Sequence, residues 1–354
     1  MSVAKELRAA ERYDAEGNHD EAVNALSRAT KAGSVEAMTQ LGKRLLVGDR
    51  APYLPQHGAS FIRDAARAGG AEATGLLAVL VAAGVQVKQN WSDAFNILIA
   101  AAERGWEPAR QQICVLAGDR GLAEEAARSG SAPAQIWGRL VQSIDFAWWS
   151  SVGNGQTLNE DPLVRCFPDF LPAPVCVWMV ERSRGRLQRA RVYDSLERQE
   201  KVHETRTNTV ADFDFLSTDI IQLLVQTRMS AACGVPVANM EATAVLHYDV
   251  GEEITNHYDF VDPKTPNYEE EIRTRGQRVV TFLVYLNDDY DGGETEFPKL
   301  GLKHKGAAGE GLYFVNALKD GSADVRTVHA GRPPLAGEKW IISQFIRGHA
   351  VRPA

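Results

Sequence analysis

Two histidines and one aspartate are the residues best suited to do chemistry in this chain. His257 and Asp259 stand two apart, and His329 follows much later. Two imidazoles and a carboxylate on one face of a metal ion leave its other positions open, the donor set of a non-haem Fe(II) centre that handles oxygen. A His-x-Asp pair arises often by chance, so the flanking residues carry the weight. Asn256-His257-Tyr258-Asp259-Phe260 follows Tyr248 and Gly251. Gly292-Gly293-Glu294-Thr295-Glu296-Phe297-Pro298 comes after an apolar run from Arg278 to Asn287. His329-Ala330-Gly331 then leads to Gly337-Glu338-Lys339-Trp340, which puts Lys339 ten residues beyond His329. Lys339 opens a run of Trp340, Ile341, Ile342 and Phe345. An ammonium buried there needs an anion or loses its proton.

The elements that must hold these residues read as short strands. From Glu241 to Asp249, Thr243, Val245 and His247 alternate with Ala242, Ala244, Leu246 and Tyr248, the period of a strand. Gly251 to Glu253 is a turn, and Thr255 to Phe260 is predicted as the next strand. Residues two apart on a strand point the same way, so His257 and Asp259 would share a face. Further strands are predicted over Arg278–Leu286, Leu312–Asn316, Val325–His329 and Lys339–Ile346, with a turn from Asp288 to Gly293. Helices are predicted from Val175 to Leu187 and from about Thr218 to Ala232. Many short strands with glycine turns indicate a jelly-roll or barrel.

In this order the motifs resemble the catalytic domain of the prolyl 4-hydroxylase family of 2-oxoglutarate- and Fe(II)-dependent dioxygenases, over residues 161–348 with its core at 241–347. The resemblance implies a double-stranded β-helix with supporting helices. It implies Fe(II) on His257, Asp259 and His329, and 2-oxoglutarate with its far carboxylate on Lys339 and Tyr248 and with Thr295 in the same pocket. It also implies O2 as cosubstrate, ascorbate as the reductant of stray Fe(III), and succinate and CO2 as co-products. Arg278 and Arg206 would touch the primary substrate, a prolyl residue in a peptide or protein. For Arg278 an ion pair with Glu269 to Glu271 is the alternative. The loop Val261 to Gly276, with Pro263 and Pro266, would close over the substrate. Ile254, Arg332, Phe345 and Arg347 depart from the residues usual at their positions in the family. They leave the substrate open, so a free amino acid or another side chain stays an alternative, as does a non-catalytic interaction protein.

At 354 residues the chain has room for two domains, and its first third repeats. Gly33, Gly69 and Gly105 are each 36 residues apart. Each follows an apolar stripe at helical spacing, read as Ala22, Leu26, Ala29, then Phe61, Ala65, Ala68, then Ala94, Leu98, Ala101. A period in the thirties with two helices per unit indicates an α-solenoid, and these units resemble Sel1-like repeats, relatives of the tetratricopeptide class. Gly130 to Ala134 repeats the junction once more. The expected organisation is α+β: a solenoid over 1–135, a connector over 136–160 packed through Trp148 and Trp149, and the β-domain after it. The repeats would either recruit a protein partner or support the catalytic domain.

A net charge of −7 argues against nucleic acid as partner. The local exception, Arg182, Arg184, Arg186, Arg189 and Arg191, reads as the solvated side of a helix. No apolar run approaches the roughly 20 residues of a membrane-spanning helix, and Met1 to Arg12 lacks a secretory h-region. Cys114, Cys166, Cys176 and Cys233 fit no zinc pattern and read as reduced thiols. The expected location is cytoplasmic, with no membrane partner. His203, His247, His304 and His349 read as structural or exposed.

Overall fold

The computed structural model describes residues 2–128, 135–190, 192–194, 199–201, 205–263, 265 and 268–351. Gly130 to Ala134, Arg191, His203 and Pro266 lie outside the described residues. The chain forms two compact units, one running through Asp145 and adding Phe215–Leu223, the other made of Phe146–Asp214 and the chain from Leu224. Among the described residues no helix is long and apolar enough to cross a membrane. All four cysteines are free thiols.

The first unit is built on the 36-residue period. Helices begin at His19, Pro55 and Trp91, and their partners begin at Val35, Ala71 and Glu107, each set 36 residues apart. Gly33, Gly69 and Gly105 make the turns between them at φ of 87°, 93° and 85°, a left-handed conformation that only glycine adopts freely. Ala22, Leu26 and Ala29 are buried, as are Ala94, Leu98 and Ala101. The middle stripe differs from expectation. Ala68 is exposed, and the buried set is Gly58, Ile62 and Ala65, which is the first stripe moved on by one period. Gly58 is buried because the helix Val35–Val47 passes close by it. A Cβ at Gly58 would lie 2.6 Å from the Leu46 backbone nitrogen. The cluster of Leu46, Ile62, Leu80 and Val85 also receives Phe215 and Leu216, and Gln112 Oε1 accepts the Ile220 amide at 3.0 Å.

The second unit is antiparallel. Its large sheet has eight strands in the order 156–160, 163–167, 311–315, 278–285, 339–347, 243–248, 209–213 and 188–189. A smaller sheet has four strands in the order 302–304, 295–297, 329–331 and 254–257. Leu283, Tyr285, Phe297, Phe314 and Ile341 form its core, and the whole is a jelly-roll. Trp148 and Trp149 belong to this unit. The Trp148 ring lies 3.5 Å from the Arg228 guanidinium carbon, and Arg228 donates to Phe170 O at 2.8 Å.

Three predicted elements shift. The strand after the Gly251 turn runs Ile254–His257 and stops before Asp259, because its partner strand begins at His329, which pairs with His257. The backbone of Val261 is instead held by the Gln277 side-chain amide, with both bonds at 2.7 Å. Val325–Thr327 is a 3-10 turn capped by Asp324, and the strand begins only at His329. The loop after Asp259 carries a helix, Tyr268–Arg275.

Gly58→Ala sets helix propensity, which favours alanine by about 1 kcal/mol, against a backbone clash that costs about 1–3 kcal/mol. The clash wins, so the variant unfolds at lower urea than the parent. Gly138→Ala, where a Cβ meets nothing within 4 Å, shifts the midpoint upward. Equal midpoints for the two variants would refute the close approach.

Candidate metal centre and cosubstrate pocket

The site rests on two cross-strand pairs. In the small sheet His257 lies directly opposite His329. Opposed residues in an antiparallel ladder have Cβ atoms about 5 Å apart, and these two rings have centroids 4.3 Å apart. In the large sheet Lys339 lies directly opposite Tyr248. Both pairs line the same cavity of about 570 Å³.

The imidazoles have a defined tautomer. His257 Nδ1 is 2.8 Å from Thr255 O, and His329 Nδ1 is 3.0 Å from Thr327 O. A carbonyl only accepts, so Nδ1 carries the proton on each ring and Nε2 presents a lone pair. Those lone pairs face a carboxylate. His257 Nε2 is 3.4 Å from Asp259 Oδ1, and His329 Nε2 is 3.3 Å from Asp259 Oδ2. Lone pairs so close repel unless something positive sits among them, either extra protons or a cation. Burial, followed by the neighbouring His329, holds the His257 pKa below the usual imidazole value, which disfavours the proton. Burial alone would raise the Asp259 pKa, but His329 and His257 together hold it well below the carboxylate range. Two imidazole nitrogens and one carboxylate, all within 4.8 Å of one another, fit a divalent first-row metal ion.

Asp259 is oriented from behind. Thr281 Oγ1 donates to Asp259 Oδ2 at 2.8 Å, and Asn316 Nδ2 donates to Thr281 Oγ1 at 2.8 Å. Both residues are fully buried. Neither stood out in the sequence, since Thr281 is one β-branched residue among several on its strand and Asn316 reads as a strand end.

Lys339 is 1% exposed and donates to Gly293 O at 2.8 Å. Burial lowers its pKa from the usual lysine value to about 7, with Glu294 opposing the shift. Among the described residues no carboxylate pairs with it. Its Nζ lies 5.1 Å from the Tyr248 ring centroid and 5.7 Å from that of Tyr285. Thr295 lines the cavity, and its Oγ1 is 2.9 Å from the Tyr285 hydroxyl. The Lys339 end of the cavity thus offers a cation beside the Tyr285 and Thr295 hydroxyls, with no carboxylate paired to that lysine among the described residues.

The two arginines expected at the substrate part company. Arg206 lines the cavity and bridges to Ile254 of the His257 strand. Arg278 does not line it. Its Nε and Nη2 each donate to Glu241 at 2.9 Å, and its guanidinium sits 3.9 Å from the Phe345 ring centroid. Its ion-pair partner is therefore Glu241 rather than the acids Glu269 to Glu271. Glu271 is taken by the fully buried Arg347, which also holds Glu241. The arginine-rich stretch is exposed at Arg184, Arg186 and Arg189 as expected, but it is not one helix face. The helix Ala173–Arg184 ends early, and Arg186 and Arg189 line the cavity beyond it.

A second group, His247, Asp249 and Glu252, also gathers potential ligands. Its atoms are already committed. His247 Nε2 is 2.9 Å from Glu338 and Nδ1 is 3.0 Å from Thr209 Oγ1, while Glu252 holds Arg189 at 2.7 Å. His304, expected as a solvated edge, is on the outer strand of the small sheet and pairs with Glu310.

A jelly-roll that gathers two histidines and one carboxylate, with a buried lysine on the same cavity, has the donor arrangement that a mononuclear non-haem metal site requires. The 2OG-Fe(II) oxygenase superfamily matches residues 243–347. Prolyl 4-hydroxylase 1 of Arabidopsis thaliana is 30% identical over 211 residues, which cover 55% of this chain and 72% of that protein. Among solved structures, a viral collagen prolyl hydroxylase from Paramecium Bursaria Chlorella virus-1, as its 2OG complex, shows 23% identity over 53% of this chain and 96% of its own, with a TM-score of 0.40. A Sel1 repeat protein from Oxalobacter formigenes shows 26% identity over 31% of this chain and 86% of its own, with a TM-score of 0.30. The chain belongs to the 2OG-Fe(II) oxygenase superfamily, among its prolyl 4-hydroxylases. The chemistry of that family takes Fe(II), 2-oxoglutarate and O2.

Anaerobic titration against a competing chelator is expected to give one Fe(II) per chain, and Asp259→Ala to abolish it. Thr281→Val removes the donor to Asp259 Oδ2 and weakens Fe(II) by about 10–100-fold, with Thr281→Ser restoring most of it. Parent-like affinity in Thr281→Val would show that Asp259 needs no such support.

Proposed function

We propose that this protein hydroxylates a prolyl residue of a peptide or protein, with 2-oxoglutarate converted to succinate and CO2. The observation that carries the reading is the pair of registers, His257 with His329 and Lys339 with Tyr248, on one cavity. His257, Asp259 and His329 would hold Fe(II), which supplies oxygen activation coupled to oxidative decarboxylation of the cosubstrate. His257 and His329 contribute neutral Nε2 donors, and Asp259 contributes the charge. Lys339 Nζ holds the far carboxylate of 2-oxoglutarate, with Tyr248 and Thr295 shaping the pocket around it. Burial excludes water from that ion pair and strengthens it. Arg206, on the cavity lining, would touch the peptide, and ascorbate would return stray Fe(III) to Fe(II).

In this reading residues 161–348 are the catalytic region, working in the cytoplasm. Residues 1–135 either recruit the protein substrate or support that region.

The test is mass spectrometry of proline-containing peptides incubated with Fe(II), 2-oxoglutarate and ascorbate, with free proline in parallel. A gain of one oxygen on the peptide proline, matched by succinate, is expected. Succinate with oxygen gain only on free proline would contradict the peptide reading.

Lys339 gives a pH dependence with a definite sign. Its pKa of about 7 means that the free protein has largely lost this charge above neutrality. The cosubstrate carboxylate needs the ammonium, so binding above pH 7 takes up a proton. Affinity for 2-oxoglutarate is then constant just below pH 7 and falls by about tenfold per pH unit above it. Calorimetry in buffers of different ionisation heat reads the proton directly. Lys339→Ala abolishes the dependence and weakens 2-oxoglutarate at least about a hundredfold, with less effect on iron. A flat profile from pH 7 to 9 in the parent would remove Lys339 from this role.

A further inference from the structure

The metal centre uses the histidines and Asp259, and the cosubstrate uses Lys339. Neither accounts for the arginines on the cavity wall. After the helix Ala173–Arg184 the chain brings Arg186 and Arg189 to this wall, where Arg206 joins them. Asp212 is the carboxylate that lines the same wall among the described residues, and Asp259 lies at the floor. Three guanidinium groups beside one wall carboxylate form a cationic surface in a chain whose net charge is −7.

The three arginines are not equivalent. Arg189 donates to Glu252 at 2.7 Å, so part of its charge is answered and its position is held. Arg186 rests over the Phe213 ring at 5.2 Å. Arg186 and Arg206 have no ion pair among the described residues. Arg206 is close enough to the floor for its charge to act on Tyr248 and His257. Arg184, by contrast, pairs with Glu338 at 3.1 Å. Unanswered guanidinium groups around a concave site recognise carboxylates, often with two parallel hydrogen bonds.

We propose that the primary substrate is a prolyl peptide with an Asp or Glu near the target proline, its carboxylate read by Arg186 and Arg206 beside the tethered Arg189. The proposal rests on the prolyl hydroxylase reading and narrows it to acidic sequences. Recognition of this kind is partly screened by salt, because the wall opens to solvent.

The test compares three peptides of equal length around a single proline, flanked by Glu, Gln or Lys, with the full chain, Fe(II) and 2-oxoglutarate. Hydroxyproline formation gives kcat/KM. At low salt the Glu peptide is expected to exceed the Gln peptide by about tenfold, the worth of two partly exposed ion pairs. The Lys peptide ranks last, and the differences shrink as salt rises. In the double variant Arg186→Gln, Arg206→Gln the Glu-to-Gln ratio falls towards one, with circular dichroism and the thermal midpoint reporting that the variant is folded. Equal kcat/KM for the three peptides in the parent would overturn the proposal and leave the prolyl reading standing. A parallel arm measures fluorescence anisotropy of labelled peptides with Ala in place of Pro. Tight binding of the Glu form with no hydroxylation of any proline peptide would uphold the cationic wall and sink the prolyl reading. No charge preference in either arm would overturn the proposal.

Discussion

The site depends on the register of two antiparallel pairings. His257 meets His329 only because the small sheet pairs them directly, and Lys339 meets Tyr248 by the same rule in the large sheet. Side chains alternate faces along a strand, so a slip of one residue in either pairing would turn a ligand or the lysine to the other side. What protects the registers is the core on which both sheets pack. Phe297, Phe314 and Ile341 are buried on the same faces, and Phe314 and Phe297 lie against the His329 ring at centroid distances of 4.7 and 5.6 Å. A slip would therefore expose apolar side chains as well as scatter the donors.

The same geometry concentrates unsatisfied charge. The Asp259 carboxylate faces two imidazole nitrogens, and the buried Lys339 donates to the Gly293 carbonyl with no carboxylate paired to it among the described residues. Such groups cost folding free energy unless a ligand answers them. The fold holds them in place with groups that are themselves satisfied. Thr281 orients Asp259, backbone carbonyls orient both imidazoles, and Arg278 and Arg347 clamp Glu241. Arg347 also takes Glu271, on the helix that follows Asp259 in sequence. Its place at the end of the last strand thus ties that helix to the sheet carrying Lys339.

The residues with chemistry of their own were legible before the structure, and those that act through others were not. His257, Asp259, His329, Lys339, Tyr248 and Thr295 stand in a spaced pattern of unusual residue types, and all six line one cavity. Thr281 and Asn316 have no such pattern, because a threonine on a strand reads as β-propensity alone. The 36-residue period was visible through its glycines, yet its second stripe was misplaced around Phe61 and Ala68. At that position the period places Gly58, which carries no apolar side chain to read. Asp259 was expected on a strand because residues two apart share a face there. The ladder ends one pair earlier, and the carboxylate reaches the histidines from a loop held by Gln277. The arginine run is solvated, as its composition implies, but the helix ends at Arg184, so Arg186 and Arg189 do not share its face.

The central claim is that one metal ion and one 2-oxoglutarate share the cavity formed by the two cross-strand pairs. The most direct measurement is a crystal structure of the protein with Mn(II) in place of Fe(II) and 2-oxoglutarate, under anaerobic conditions, with the metal located by anomalous scattering. The account predicts a single anomalous peak between Nε2 of His257, Nε2 of His329 and the Asp259 carboxylate, with the far carboxylate of 2-oxoglutarate on Lys339 Nζ. A peak at His247, Asp249 and Glu252 instead, or a cosubstrate that leaves Lys339 bonded only to Gly293, would contradict it.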